Sequence, residues 1–332
     1  MSRYSVERRT ENGIDLYELV DAGSASRAVI VPSIGNQCFR YTWEVGGRTL
    51  HLLDGGESLR QLADDPTHYG NPILFPFPNR IKGGVFEFEG RRVEVPRDEK
   101  GINAIHGLVR NQPWKVTGFG SDEERGAWIT ARIDPEELPA IKDVWPFPFS
   151  LEYTYRLRNG ALENEVTARN TGTSRLPMGF GVHPWFPMPL TEQGSRAACR
   201  LKAPVDKVWE LEQLIPTGRL LDPTPERDLR RDIAFGDLFF DDVYGGLNAS
   251  GPSESVYTDP AAGVQIAVWA DAGFRELVVY APTNRNVLCI EPYTCATDAF
   301  NLARRGVDAG MIVLEPGGSW SGKIVYAPRL LR

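Results

Sequence analysis

From Val85 to Val95 the chain reads VFEFEGRRVEV, with apolar and polar residues alternating on both sides of Gly90. A period of two puts one side of a segment on a core and the other in solvent, which is the pattern of a β-strand. Two short strands turning at Gly90 are predicted. Leu151, Tyr153, Tyr155 and Leu157 alternate with Glu152, Thr154, Arg156 and Arg158, and the pair Asn159-Gly160 follows. A tight hairpin turn needs positive φ at both central residues, which Asn and Gly accept, so a hairpin returning through Leu162 to Arg169 is predicted. Val264, Ile266 and Val268 alternate again, Leu277 to Tyr280 form a continuous buried run, and Met311 to Leu314 and Lys323 to Tyr326 read as closing strands. Helix signals are few. The best is Asp134 as N-cap before Pro135, Glu136 and Glu137, kept short by Pro139 and Pro146. With no internal repeat, low-complexity stretch or linker, residues 1–332 are expected to form a single all-β domain, a large antiparallel β-sandwich.

Composition narrows the function. Hydrophobic residues make up 42% of the 332, enough to bury a sizeable core. The formal net charge of -7, with Lys and Arg scattered along the chain, offers no basic footprint for nucleic acid. Cys38, Cys199, Cys289 and Cys295 lack the short spacing of a zinc knuckle and are expected to be reduced thiols, with no metal site. Met1 to Asp21 has no apolar signal region and no run reaches the ~18 apolar residues of a membrane span, so a cytoplasmic enzyme without membrane contact is expected.

Four segments bring polar residues to the ends of apolar strands. In NPILFPFPNRIKGG, prolines at 76 and 78 end pairing and fix a loop reaching Asn79-Arg80, where a planar guanidinium can meet hydroxyl oxygens. AIHGLVRNQPW carries His106 beside Gly107. In MGFGVHPWF, Gly179 and Gly181 allow close backbone approach, Pro184 fixes the exit from His183, and Trp185 supplies aromatic surface suited to a sugar face. VLCIEPYTCATDAFNL places Glu291 at the end of an apolar strand, where a carboxylate either reaches water or serves a site. Asp241-Asp242, in FFDDVYGG, is a weaker signal, since such aspartates also occur in turns.

In this order, and over almost the whole chain, NPILFPFPNRI, AIHGLVR, GFGVHPWF and CIEPYTCATDAFNL resemble the aldose 1-epimerase, or galactose mutarotase, family. The resemblance implies the family's supersandwich fold and interconversion of the α and β anomers of a hexose, without a cofactor. By motif, His183 resembles the histidine that protonates the ring oxygen and Glu291 the base that takes the anomeric proton. His106 resembles a second ring-oxygen histidine, and Arg80, beside Asn79, the arginine that holds sugar hydroxyls. The family's sugar-binding aspartate sits in an Asp-His-aromatic segment. Here FFDDVY stands instead, leaving Asp241 as first choice and Asp242 as second.

Opening a hemiacetal moves one proton off the anomeric oxygen and another onto the ring oxygen, so one Glu and one His suffice. A cationic His183 and an anionic Glu291, each favouring the other's charge, are expected, with a rate optimum near neutrality. The expected partner is a small-molecule sugar, with the protein a monomer or homodimer. Three readings compete: a glycoside hydrolase using Glu291 with Asp241 or Asp242, a non-catalytic carbohydrate-binding or sensor protein, and a hexose-6-phosphate epimerase drawing on Lys82 or Arg110.

Overall fold

The two-residue period is realised as extended backbone almost throughout. The computed structural model describes residues 2–331, in which antiparallel sheets are interrupted by three short α-helices. The hairpin at Asn159-Gly160 forms as predicted, joining Phe149–Arg158 to Ala161–Asn170, with φ of 51° and 77° at the two turn residues. Val85–Phe88 and Arg91–Glu94 pair around Gly90.

The largest sheet has nine strands, and the Asn159-Gly160 hairpin lies near its middle. Phe149, Leu151, Tyr153, Tyr155 and Leu157 are buried on its inner face. On the outer face Lys323 pairs with Glu163 at 2.6 Å and Glu165 at 3.3 Å, and Arg156 with Glu165 at 3.1 Å. Partly exposed ion pairs contribute roughly 0–1 kcal/mol each, whereas each fully buried large apolar side chain contributes roughly 1.5–3 kcal/mol. The inner face therefore holds the sheet in place.

A five-stranded sheet from Tyr4–Glu11 to Arg48–His51 and an eight-stranded sheet both cover that inner face, and the three share one hydrophobic cluster. Phe186 packs edge-on against Tyr326 with centroids 5.5 Å apart. Two buried hydroxyls between the sheets find acceptors, as a dry interior favours: Tyr326 Oη donates to Asn71 Oδ1 at 2.9 Å and Tyr153 Oη to Asn164 Oδ1 at 3.1 Å. The closing strand Ser319–Leu330 is longer than predicted, because strands on both sides hydrogen-bond to it.

The helical segments differ from expectation. Pro135–Glu137 is a 3-10 turn and Pro139–Lys142 a single α-helical turn, and the Asp134 side chain caps neither. Two helices arise where none was predicted. Leu59–Asp64 is capped by Ser58 Oγ, which accepts from Gln61 N at 3.2 Å, and Ala299–Arg304 follows Asp298.

Candidate active site

A break in the eight-stranded sheet builds the centre of the site. Gly181 pairs with Tyr293 and Trp185 with Cys289, both against the strand Val287–Tyr293 and in one register. His183, midway between the two pairs, therefore stands across from Glu291. Pro184 has no N–H for the ladder, and the His183 N–H turns away to Pro72 O at 3.0 Å, so pairing lapses at this point. On the other side of Val287–Tyr293 lies Glu276–Ala281, with Val278 facing Glu291 and Tyr280 facing Cys289. Beyond it Asp241 faces Tyr280. Alternate strand residues share a face, so these side chains floor one cavity.

That cavity, about 360 Å³, is lined by Glu291, His183, His106, Arg80, Asn79, Asp241 and Trp185, the residues singled out from sequence. Asp242, the second choice, points to the opposite face, where Oδ2 lies 3.2 Å from Arg227 Nη1. His183 Nε2 is 3.5 Å from Glu291 Oε1, and the two residues are 6% and 1% exposed. Asn79, at φ 52°, organises the polar wall: its carbonyl accepts the His106 N–H and its Oδ1 accepts from Arg80 Nη1, each at 2.7 Å. The short pairing of Arg80–Ile81 with Ala104–Ile105 sets Arg80 beside the His106 turn. Trp185, which lines the cavity, also packs on the histidine. At 1% exposure its ring stacks on His183 (4.8 Å, 13°) with Arg285 also over it, so it backs the histidine. Tyr280 and Phe239, which sequence reasoning missed, offer the aromatic surface of the cavity, and His68, Lys100 and Leu214 complete its rim. Tyr293, also missed, donates its hydroxyl to Glu291 Oε2. Its signal was legible in CIEPY: two residues after Glu291 on a strand means the same face.

Burial sets the charges. It pulls His183 down to about 3, with the His68 ring adding to the effect, and holds His106 well below the usual histidine range, helped by His183. It pushes Glu291 well above the usual carboxylate range despite the Tyr293 hydrogen bond, and raises Asp241 against the opposing pull of Arg80. Burial thus works against the cationic His183 and anionic Glu291 expected from sequence, favouring the neutral form of each group. His183 Nδ1 and His106 Nδ1 are buried without a hydrogen-bond partner, and the two rings meet edge-on at 5.1 Å. His183, Cys289 and Glu291 each bring one potential metal-ligand atom within 4.8 Å of the others. A divalent cation there would need Glu291 as carboxylate and Cys289 as thiolate, and burial disfavours both forms.

The arrangement places an imidazole and a carboxyl group 3.5 Å apart on one side of a small polar cavity, with an arginine and an aspartate on its wall. The fold itself is found in known proteins. The supersandwich recurs in a galactose mutarotase-like protein from Clostridium acetobutylicum, with a TM-score of 0.88 and 22% identity over 98% of each chain. It recurs in a galactose 1-epimerase from Lactobacillus acidophilus, with a TM-score of 0.76 and 13% identity over 98% of this chain and 97% of that one. The uncharacterized protein YihR of Escherichia coli K12 is 26% identical over 253 residues, 75% of this chain and 76% of YihR. The sequence pattern of the family described as aldose 1-epimerase matches residues 18–327, which include every residue of the cavity, and the chain belongs to that family.

Proposed function

We propose that the chain is an aldose 1-epimerase, a mutarotase that interconverts the α and β anomers of a hexose by opening and reclosing its ring. The observation that carries this reading is the buried His183–Glu291 pair at 3.5 Å in a cavity that also presents Arg80 and Asp241. The pair shares one proton. The reactive form carries it on His183, with the carboxylate of Glu291 facing the anomeric hydroxyl and Arg80 supporting the negative charge. Glu291 takes the O1 proton as C1=O1 forms, the C1–O5 bond breaks with its electrons on O5, and O5 receives the His183 proton. After rotation about C1–C2 the same groups reverse their roles, so nothing is consumed. His106 stands beside His183 as a further contact for the ring oxygen, while Arg80, Asn79 and Asp241 hold hydroxyls.

Polarimetry of freshly dissolved α-D-glucose and α-D-galactose tests this. Glu291→Gln and His183→Asn, checked for folding, are each expected to lose about 10²–10⁴-fold in rate, the usual worth of a proton-transfer group. Sugar binding by the wild type without faster anomerisation would instead establish a carbohydrate-binding protein. One observation favours a second substrate class: Lys100 brings a cation to the rim, as an acidic hexose would require. Repeating the polarimetry with a hexuronic acid and a hexose 6-phosphate decides between charged and neutral sugars. Lys82 lines a separate concavity, and Arg110 turns toward backbone carbonyls, so neither supplies that cation.

A further inference from the structure

The turn that carries His106 is costly backbone. His106 and Gly107 both have positive φ, 60° and 67°, and a Cβ at Gly107 would lie 2.3 Å from Phe75 O. A non-glycine residue in this region costs on the order of 1 kcal/mol or more, and persists only where its surroundings enforce it. Arg110 lies against this turn. Its Nη1 donates toward three successive carbonyls, Ile105 O at 3.2 Å, His106 O at 3.3 Å and Gly107 O at 3.0 Å. Unscreened, these converging carbonyl dipoles would repel one another. The same guanidinium donates from Nε to Thr67 Oγ1 at 3.0 Å. Thr67 O in turn accepts the Trp185 Nε1–H at 2.9 Å, and the Trp185 ring stacks on His183. Asp65 supports the Arg110 charge through space only. A half-buried arginine with no carboxylate hydrogen-bonded to it, directed instead at carbonyls and a hydroxyl, has its guanidinium committed to the shape of this turn.

We propose that Arg110 is a positioning residue: its guanidinium clips the His106 turn into shape and, through Thr67 and Trp185, fixes the distance between the His106 and His183 rings. The proposal rests on the reading of those histidines as groups that face the sugar. A planar fork can serve Thr67 and the carbonyls at once, whereas an ammonium presents a single point of charge.

The test compares wild type with Arg110→Ala and Arg110→Lys, each checked by thermal unfolding. In Arg110→Ala, kcat for mutarotation is expected to fall about 10²-fold, the scale set by a misplacement of about 1 Å, with KM within about threefold. Millimolar methylguanidine is expected to restore much of the lost rate. In a His106→Asn background, removing Arg110 should cost less than about threefold further, because two residues acting through one group are not additive. An unchanged kcat in a folded variant, or the full loss repeated in the His106→Asn background, overturns the proposal. If Arg110→Ala does not fold, Arg110→Lys carries the same comparison. If the wild type moves no aldose, the epimerase reading fails and the clip is read by hydrogen exchange. The His106 amide, bonded to Asn79 O, and the Leu108 amide, bonded to Phe75 O, should then exchange about tenfold faster in Arg110→Lys than in wild type, with the remaining amides unchanged. Equal protection at those two amides overturns it.

Discussion

Two adjacent aspartates show how much a single residue position decides. Asp241 and Asp242 share charge, size and neighbourhood in the sequence, yet the strand Phe240–Gly245 sends one into the cavity and the other to Arg227 on the far face. Asp241→Asn is expected to raise KM for the sugar about tenfold, the worth of one charge-assisted hydrogen bond, and to leave the melting temperature nearly unchanged. Asp242→Asn is expected to do the reverse, costing up to about 1 kcal/mol of stability because Arg227 loses its half-buried ion-pair partner. Mutarotation kinetics and thermal unfolding, run side by side, check both. The composition of FFDDVY could not separate the two; only the pairing of Asp241 with Tyr280 does. The burial that disfavours charge on His183 and Glu291 was hidden for a related reason. Tyr280, which packs edge-on against His183, is brought there by sheet pairing and is distant in the sequence.

At the scale of elements, what could be read depended on length and on local chemistry. Strands with an unbroken period and an Asn-Gly turn were legible at once. The helix Leu59–Asp64 was not, since six residues with only Leu59 and Leu62 buried give too few positions to establish a helical period. Ala299–Arg304 lacked its marker as well: Asp298 precedes it at φ 60° without capping, its Oδ1 accepting instead from Lys82 N at 2.9 Å. The paired glycines in MGFGVHPWF did convey their role. A Cβ on Gly181 would lie 2.3 Å from the Tyr293 ring, which donates to Glu291. Gly181→Ala is therefore expected to cost about 1–3 kcal/mol and to lower kcat by displacing Tyr293. Chemical denaturation checks the first effect and polarimetry the second.

Across the molecule burial disfavours the charged form of several ionisable groups, and this shapes its stability against pH. Glu276, 2% exposed and accepting from Trp209 Nε1 at 2.8 Å, is pushed up to about 8 by burial. Between the ordinary carboxylate range and that value the unfolded chain has released a proton that the folded chain keeps, so stability falls as pH rises. The depressed histidines act in the opposite sense. Below the usual histidine range the unfolded chain takes up protons that folded His106 and His183 refuse, so stability falls as pH drops. Glu276→Gln, which preserves shape and neutrality, is expected to flatten the alkaline side by up to about 1.4 kcal/mol per pH unit and to change little on the acid side. Melting temperatures at about pH 5 and about pH 8 compare the two sides.

The break opposite Glu291 has one more consequence, for quality control during folding. Because His183 meets Glu291 only through the shared register of Gly181–Tyr293 and Trp185–Cys289, a slip of one residue would present Ile290 or Pro292 in place of the carboxylate and turn the glutamate to the other face. Mispaired molecules would thus be silent rather than sluggish, and the specific activity of a refolding mixture would count correctly zipped chains.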